Sequence, residues 1–288
     1  MRGLASRWVV WLGVALCAAP SAVRADDDVA SRVRELTAKI EASPRDASLY
    51  AWRADLHRFA RDYDSALADC ERARALAPTA PRICAVCGRV LDDAGYPRAA
   101  RAVAETGLGS DPRDPELRLL RARALVKLGD GYAAWDDFSA VIAAAPAPSP
   151  DLYLERSNAV AGLGGDLRER ALGGIDEGIA RLGPLVTLEL AALEHEEKLG
   201  RVEAALARID RLAADAPRKE TWLIRRAELL ARTGREAEAR DSFQRALAAI
   251  DALPEHLRST RATQALAERA RAALGSPAAA PAAKPASP

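Results

Sequence analysis

Between Asp62 and Pro78 the chain reads DYDSALADCERARALAP, and between Asp130 and Pro146 it reads DGYAAWDDFSAVIAAAP, the same order of small, apolar and proline positions with few letters in common. Nearby, apolar residues fall three and four apart, as in LYAWRADLHRFA and LRLLRARALVKL, which is helical spacing and not the alternation of a strand. Pro44, Pro78, Pro112 and Pro146 are 34 residues apart, and a fixed period of roughly 20 to 50 residues marks a stacked array of small units. Other columns keep the step: Ala54, Gly88 and Ala122; Ala66, Ala100 and Ala134; Gly95 and Gly129. The prolines predict the end of the second helix of each unit, since proline cannot continue a helix. Gly95 and Gly129 predict the end of the first, because glycine takes a left-handed cap without strain. The two alanine-rich columns fall near the middle of successive helices, where small side chains let the helices of one hairpin approach. Every 34 residues thus predict an antiparallel helical hairpin.

This unit resembles the tetratricopeptide repeat, whose pattern runs W-x2-L-G-x2-Y, then A-x3-F, then P. YAWRADLH through ALADCERARALAP matches it with Tyr50, Ala54, Ala66, Ala73 and Pro78, and ELLARTGREAEARDSFQRALAAID matches with Gly234, Ala239, Phe243 and Ala246. The resemblance implies an all-α fold, a right-handed α-solenoid of stacked antiparallel hairpins, with six repeats over residues 47–254. Two repeats are degenerate. In the fourth, Ser157 holds the small position but Ala171 comes two residues late, which predicts a longer loop after Gly164; in the fifth, Leu193 occupies the small column, which predicts a splayed hairpin. Residues 26–46 are expected to form an N-terminal helix ending in register at Pro44, and residues 255–274 a polar-faced helix capping the stack. The tail GSPAAAPAAKPASP, residues 275–288, is expected to be disordered.

The first 25 residues predict a signal peptide. MRGLASR carries two positive charges, WVVWLGVALCAA is an apolar run of 12, and VRA before Asp26 supplies small residues for cleavage after Ala25. A spanning helix needs about 20 apolar residues, so an uncleaved anchor is the alternative and no membrane span is expected after cleavage. A lipoprotein reading of Cys17 fails on Leu16, where a small residue is wanted. The chain is therefore expected to be exported, to a periplasm or beyond the cell. Its 5 Lys among 42 basic residues, with abundant Ala and Pro, resemble the usage of a bacterium rich in G and C.

Composition supports the helical reading: 49% of residues are hydrophobic but only 5% aromatic, and the dominant Ala, Leu, Arg and Glu are helix formers. Lys and Arg total 42 against 41 for Asp and Glu. Removal of Arg2, Arg7 and Arg24 with the leader would leave 39 against 41, so no field of one sign recruits nucleic acid or an anionic membrane.

Candidate chemistry is sparse. His57, His195 and His256 stand in separate units, and HEEKL has the Glu of a zinc-protease helix but Leu199 in place of the second His. GLGG, Gly162 to Gly165, lacks the Lys and Ser or Thr of a phosphate loop. No catalytic residue, metal or cofactor is expected. Cys70, Cys84 and Cys87 meet at the junction of the first two units. CAVCG lacks the His of a haem attachment and lies within a helix, unlike a redox pair before one. Cys70 and Cys87 fall at similar height in an antiparallel pair, with Cys84 lower. A Cys70–Cys87 bridge and three simple buried thiols both remain open.

In the resembling family the first helix of each repeat lines a concave groove that holds a peptide or partner helix. Helical spacing then places Arg82, Arg89, Arg123, Lys127 and Asn158 on that face, followed by Glu194, Glu197 and Glu228, basic early and acidic late, with plain solvated surface as the alternative. The lysines and asparagines by which some family members clamp a chain-terminal carboxylate are not reproduced. Three functions follow: a non-catalytic exported scaffold for a protein or peptide partner, an accessory subunit of an envelope assembly, or an enzyme with an unrecognised site.

Overall fold

The computed structural model describes residues 21–275. Most of the expected signal peptide, and all but the first residue of the expected tail, lie outside the described residues. Among those described, every regular element is a helix. Helix α1 (Ser21–Ala42) precedes six pairs: α2 (Ala47–Phe59) with α3 (Tyr63–Leu76), α4 (Pro81–Asp93) with α5 (Pro97–Ser110), α6 (Pro115–Lys127) with α7 (Gly131–Ala144), α8 (Pro150–Ala161) with α9 (Gly165–Leu182), α10 (Val186–Lys198) with α11 (Val202–Asp215), and α12 (Glu220–Arg232) with α13 (Glu236–Asp251). The short α14 (Glu255–Arg258) and α15 (Arg261–Gly275) follow.

The punctuation works as its chemistry requires. Pro44, Pro78, Pro112 and Pro146 each stand two residues past a helix end, and Pro81, Pro97, Pro115 and Pro150 each open a helix, where the missing N–H has no partner to lose. Asp46 and Asp62 cap α2 and α3 by accepting from the backbone N–H of Ser48 and Ser65 at 2.9 and 3.2 Å. The left-handed residue in the turn between paired helices is Gly95 (φ 86°), Gly129 (φ 82°), Gly200 (φ 70°) or Gly234 (φ 76°), but in the first pair it is Arg61 (φ 59°).

The chain divides into two compact units, one ending at Ala124 and one beginning at Leu125, within α6. In the first, Ala54, Ala66, Ile83, Val90 and Leu117 share one buried core, and each large apolar side chain so buried contributes about 1.5–3 kcal/mol. Gly88 shows what the first small column accommodates: a Cβ there would lie 2.1 Å from the Leu120 side chain. The partner is thus α6 of the next pair, not α5 of the same hairpin. In the second unit a Cβ on Gly131 would lie 2.1 Å from the Ala159 carbonyl oxygen, so α7 begins in backbone contact with α8.

One expectation for the degenerate repeats changes. The turn between α8 and α9 has three residues like the others, and the surplus residues lengthen α9 to 18 against 14 in α7. No longer loop follows Gly164. Its positive φ of 134° lets the helix start at the next residue, and hydrogen-bonded helix is the cheaper place for extra backbone. Leu193 is fully buried in one core with Ala205 and Ile209 of α11.

Candidate partner-binding site

Arg82 and Arg89 are seven residues apart on α4 and so share one helical face. Against that face α2 sets Trp52, Asp55 and Leu56, α1 sets Arg32 and Glu35, and the start of α6 sets Glu116. Together they line an open cleft of about 520 Å3 in the first unit. The repeat period builds it: Trp52 and Val86, Asp55 and Arg89, and Arg82 and Glu116 are each 34 residues apart.

The cleft's charges are unequal in their commitments. Arg89 is paired with Glu116 and lies 3.8 Å from Asp55. Burial pulls its pKa down, the nearby Arg58 and Arg82 add repulsion, and Asp55 and Asp93 oppose this. Glu35 pairs with Lys39 at 2.6 Å, and Arg32 with Asp28 at 3.2 Å. Arg82 is exposed and has no hydrogen-bonded or ion-paired partner among the described residues. Beside it Trp52 is 45% exposed, uncommon for so large an apolar ring. A free guanidinium next to an open indole can take a carboxylate and an apolar side chain from one segment.

The other expected positions are not among the residues that line this cleft. Arg123 is exposed on α6 and is not part of the cleft lining, while Lys127, on the same helix, and Asn158, on α8, are exposed in the second unit. The carboxylates expected to make the late face acidic are already committed. Glu194 pairs with Lys198, whose hydrogen bond lowers its pKa. Glu197 of α10 is held by Arg225 at 2.8 Å and Arg232 at 2.7 Å, both of α12, and Glu228 by Arg269 of α15. The pairs of Glu197 and Glu228 tie α10 to α12 and α12 to α15.

The sequence reading missed two buried polar groups. Arg208 on α11 is buried with Glu196 and Glu189 of α10 and reaches Asp176 of α9 at 3.2 Å. Burial opposes its charge, but the hydrogen bonds it donates to Glu196 and Glu189 outweigh this and raise its pKa. Ser157 on α8 and His195 on α10 form the second group, also in the second unit. Ser157 is 1% exposed, and His195 Nδ1 has no partner among the described residues, so nothing orients the ring as a base and substrate has no access to the hydroxyl. Near α12 a second, apolar recess of about 360 Å3 is lined by Pro184, Val186, Leu212, Pro217 and Trp222. The described residues contain no cluster of three or more metal-ligating side chains and no helix long and apolar enough to cross a membrane.

Residues 60–124, which contain α4 and most of the first unit, match the family model of the tetratricopeptide repeat. That segment carries the tetratricopeptide repeat. Solved structures of tetratricopeptide-repeat proteins share the fold of this chain. The C-terminal part of a repeat protein from Cytophaga hutchinsonii superposes with a TM-score of 0.60 at 15% identity, over 81% of this chain and 94% of that one. One from Parabacteroides merdae gives 0.53 at 14% identity, over 86% and 94%. PilW, a widely conserved type IV pilus biogenesis factor, gives 0.55 at 17% identity, over 69% and 92%. None of the curated proteins matches the chain in sequence.

Proposed function

We propose that the chain is an exported, non-catalytic scaffold whose first unit holds an acidic or carboxylate-bearing segment of a protein partner in the cleft between α1, α2 and α4. The observation that carries this reading is Arg82, uncommitted beside the exposed Trp52 while every other charge of the cleft lining has a partner. Tetratricopeptide-repeat proteins are commonly interaction scaffolds, and stacked hairpins offer extended surfaces for that use. Export rests on the charged start, apolar run and small-residue site of residues 1–25. Cleavage after Ala25 would leave Asp26 as the first residue, in a periplasm or outside the cell.

The test is capture from an envelope extract by the immobilised chain, with Arg82→Glu alongside. Capture should fall about tenfold in the variant, a loss of about 1.4 kcal/mol, and should weaken as salt shortens the screening length below about 10 Å. Equal capture by parent and variant would remove the cleft from the argument.

A second reading, an accessory subunit of an envelope assembly, is favoured by Phe59 and Tyr96, 66% and 55% exposed near the turns of the first unit. Such a permanent apolar contact would survive high salt and be lost on Phe59→Ser with Tyr96→Ser.

A further inference from the structure

Cys70 lies on α3 and Cys87 on α4, the second helix of one hairpin and the first of the next, and both are buried. Both are free thiols, and the Cys87 thiol donates to the Cys70 carbonyl oxygen at 3.7 Å, which brings its sulfur against the Cys70 residue. Cys84, three residues earlier on α4, has a different hydrogen-bond partner. Its thiol donates to the Pro78 carbonyl oxygen at 3.5 Å, and its Cβ lies 2.8 Å from where a Cβ on Gly107 of α5 would stand. Among three cysteines within 18 residues, Cys87 is thus hydrogen-bonded to the Cys70 residue, while Cys84 is held to Pro78.

The geometry points to a disulfide between Cys70 and Cys87, formed when the chain folds in the presence of a disulfide oxidant, with Cys84 left as a thiol. The exchange balances in two steps. A thiolate of one cysteine attacks a sulfur of the external disulfide, breaking that S–S bond and releasing one thiolate. The other cysteine then attacks the mixed disulfide, forming the Cys70–Cys87 bond and releasing the second thiolate. The protein loses two electrons and two protons, and the external disulfide takes both and leaves as two thiols. In the closed structure the neighbouring Cys87 thiol and then burial push the Cys70 thiol up, so attack from the packed interface is slow. Bridging therefore belongs to folding, before α3 and α4 close, and the finished bond is shielded from reductants. It would pin the first hairpin to the second, directly behind the α4 face that carries Arg82 and Arg89.

The test is a peptide map of the purified chain after refolding in a mixture of oxidised and reduced glutathione, with thiols alkylated under denaturing conditions. The expected map joins the Cys70 and Cys87 peptides and finds alkylated Cys84. The bridged form should melt about 5 °C or more above the reduced form, since closing a loop of this size restricts the unfolded chain. That difference should persist in Cys84→Ser and vanish in Cys70→Ser. Full alkylation of Cys70 and Cys87, or a bridge from either to Cys84, overturns the proposal. The wild-type map decides this without any variant.

Discussion

The imidazole Nε2 of His195 lies 2.9 Å from the Ser157 hydroxyl, although 38 residues separate the two in the chain. The hydroxyl donates its one proton to the Ala171 carbonyl oxygen at 3.1 Å, so Nε2 carries the ring proton and donates to Ser157, leaving Nδ1 bare. Burial lowers the pKa of His195, with Arg168 and Lys198 acting the same way and Glu194 against them. The unfolded chain, where histidine titrates near 6.5, then binds the proton more readily than the folded one. The contribution is complete above about pH 6.5 and is lost as pH falls from there through the folded pKa, at no more than about 1.4 kcal/mol per pH unit. Urea unfolding at pH 7.5 and 5.0 should show a larger loss in the parent than in His195→Gln. Equal losses would mean that the ring's pKa does not differ between the folded and the unfolded chain.

Arg61 adopts φ 59° at the turn position where the second, third, fifth and sixth pairs place glycine. A left-handed conformation costs a side-chain-bearing residue about 1–2 kcal/mol, part of which glycine gives back through its freer unfolded chain. Arg61→Gly should therefore raise unfolding stability by about 0.5–1 kcal/mol, read as a higher urea midpoint at unchanged slope. Gly129→Arg should lower it by a similar amount.

How far the sequence could be read follows from what repeats in it. The prolines at 34-residue steps located helix ends because proline acts on its own backbone, and Gly95 and Gly129 did the same for turns. Arg82 and Arg89 were legible because helical spacing alone puts them on one face. Trp52 and Asp55 carried a signal that went unused: they stand one period before Val86 and Arg89, so they meet the same cleft from the preceding repeat. Arg32 and Glu35 carried none, because α1 precedes the first repeat and no period fixes its rotation. The pairing of Glu197 with Arg225 and Arg232 was equally hidden, since the contacts of long side chains depend on how neighbouring hairpins pack. The fourth repeat misled because an insertion reads the same in sequence whether it lengthens a loop or a helix.

Arg208 is the counter-charge for two buried carboxylates, Glu189 and Glu196. Removing it alone strands both in the interior of the second unit, and breaking a buried pair in this way costs about 3–5 kcal/mol. Arg208→Met should therefore destabilise strongly in a thermal or urea melt. Arg208→Met combined with Glu189→Leu and Glu196→Leu should recover most of the loss, because apolar groups of similar size can replace a buried ion cluster. Failure of the triple variant to recover would show that the charges specify the packing of α10 on α11.

Arg82 and Arg89 share a face of α4 but should respond differently to removal. Arg89 is half-buried between Asp55 and Glu116, so Arg89→Ala leaves two carboxylates facing each other across the cleft. For partly exposed ion pairs the expected loss of stability is about 0.5–1 kcal/mol. Arg82 touches no counter-charge among the described residues, and Arg82→Ala should stay within about 0.5 kcal/mol of the parent in the same melt. Partner capture should reverse this order. Arg82→Ala removes the guanidinium that is free to meet an incoming carboxylate, whereas Arg89 must first release Glu116 to do so. Measured side by side, capture should fall more in Arg82→Ala than in Arg89→Ala, and stability more in Arg89→Ala. Parallel losses in both measurements would mean that the two arginines only support the fold, and that the partner lies on another face.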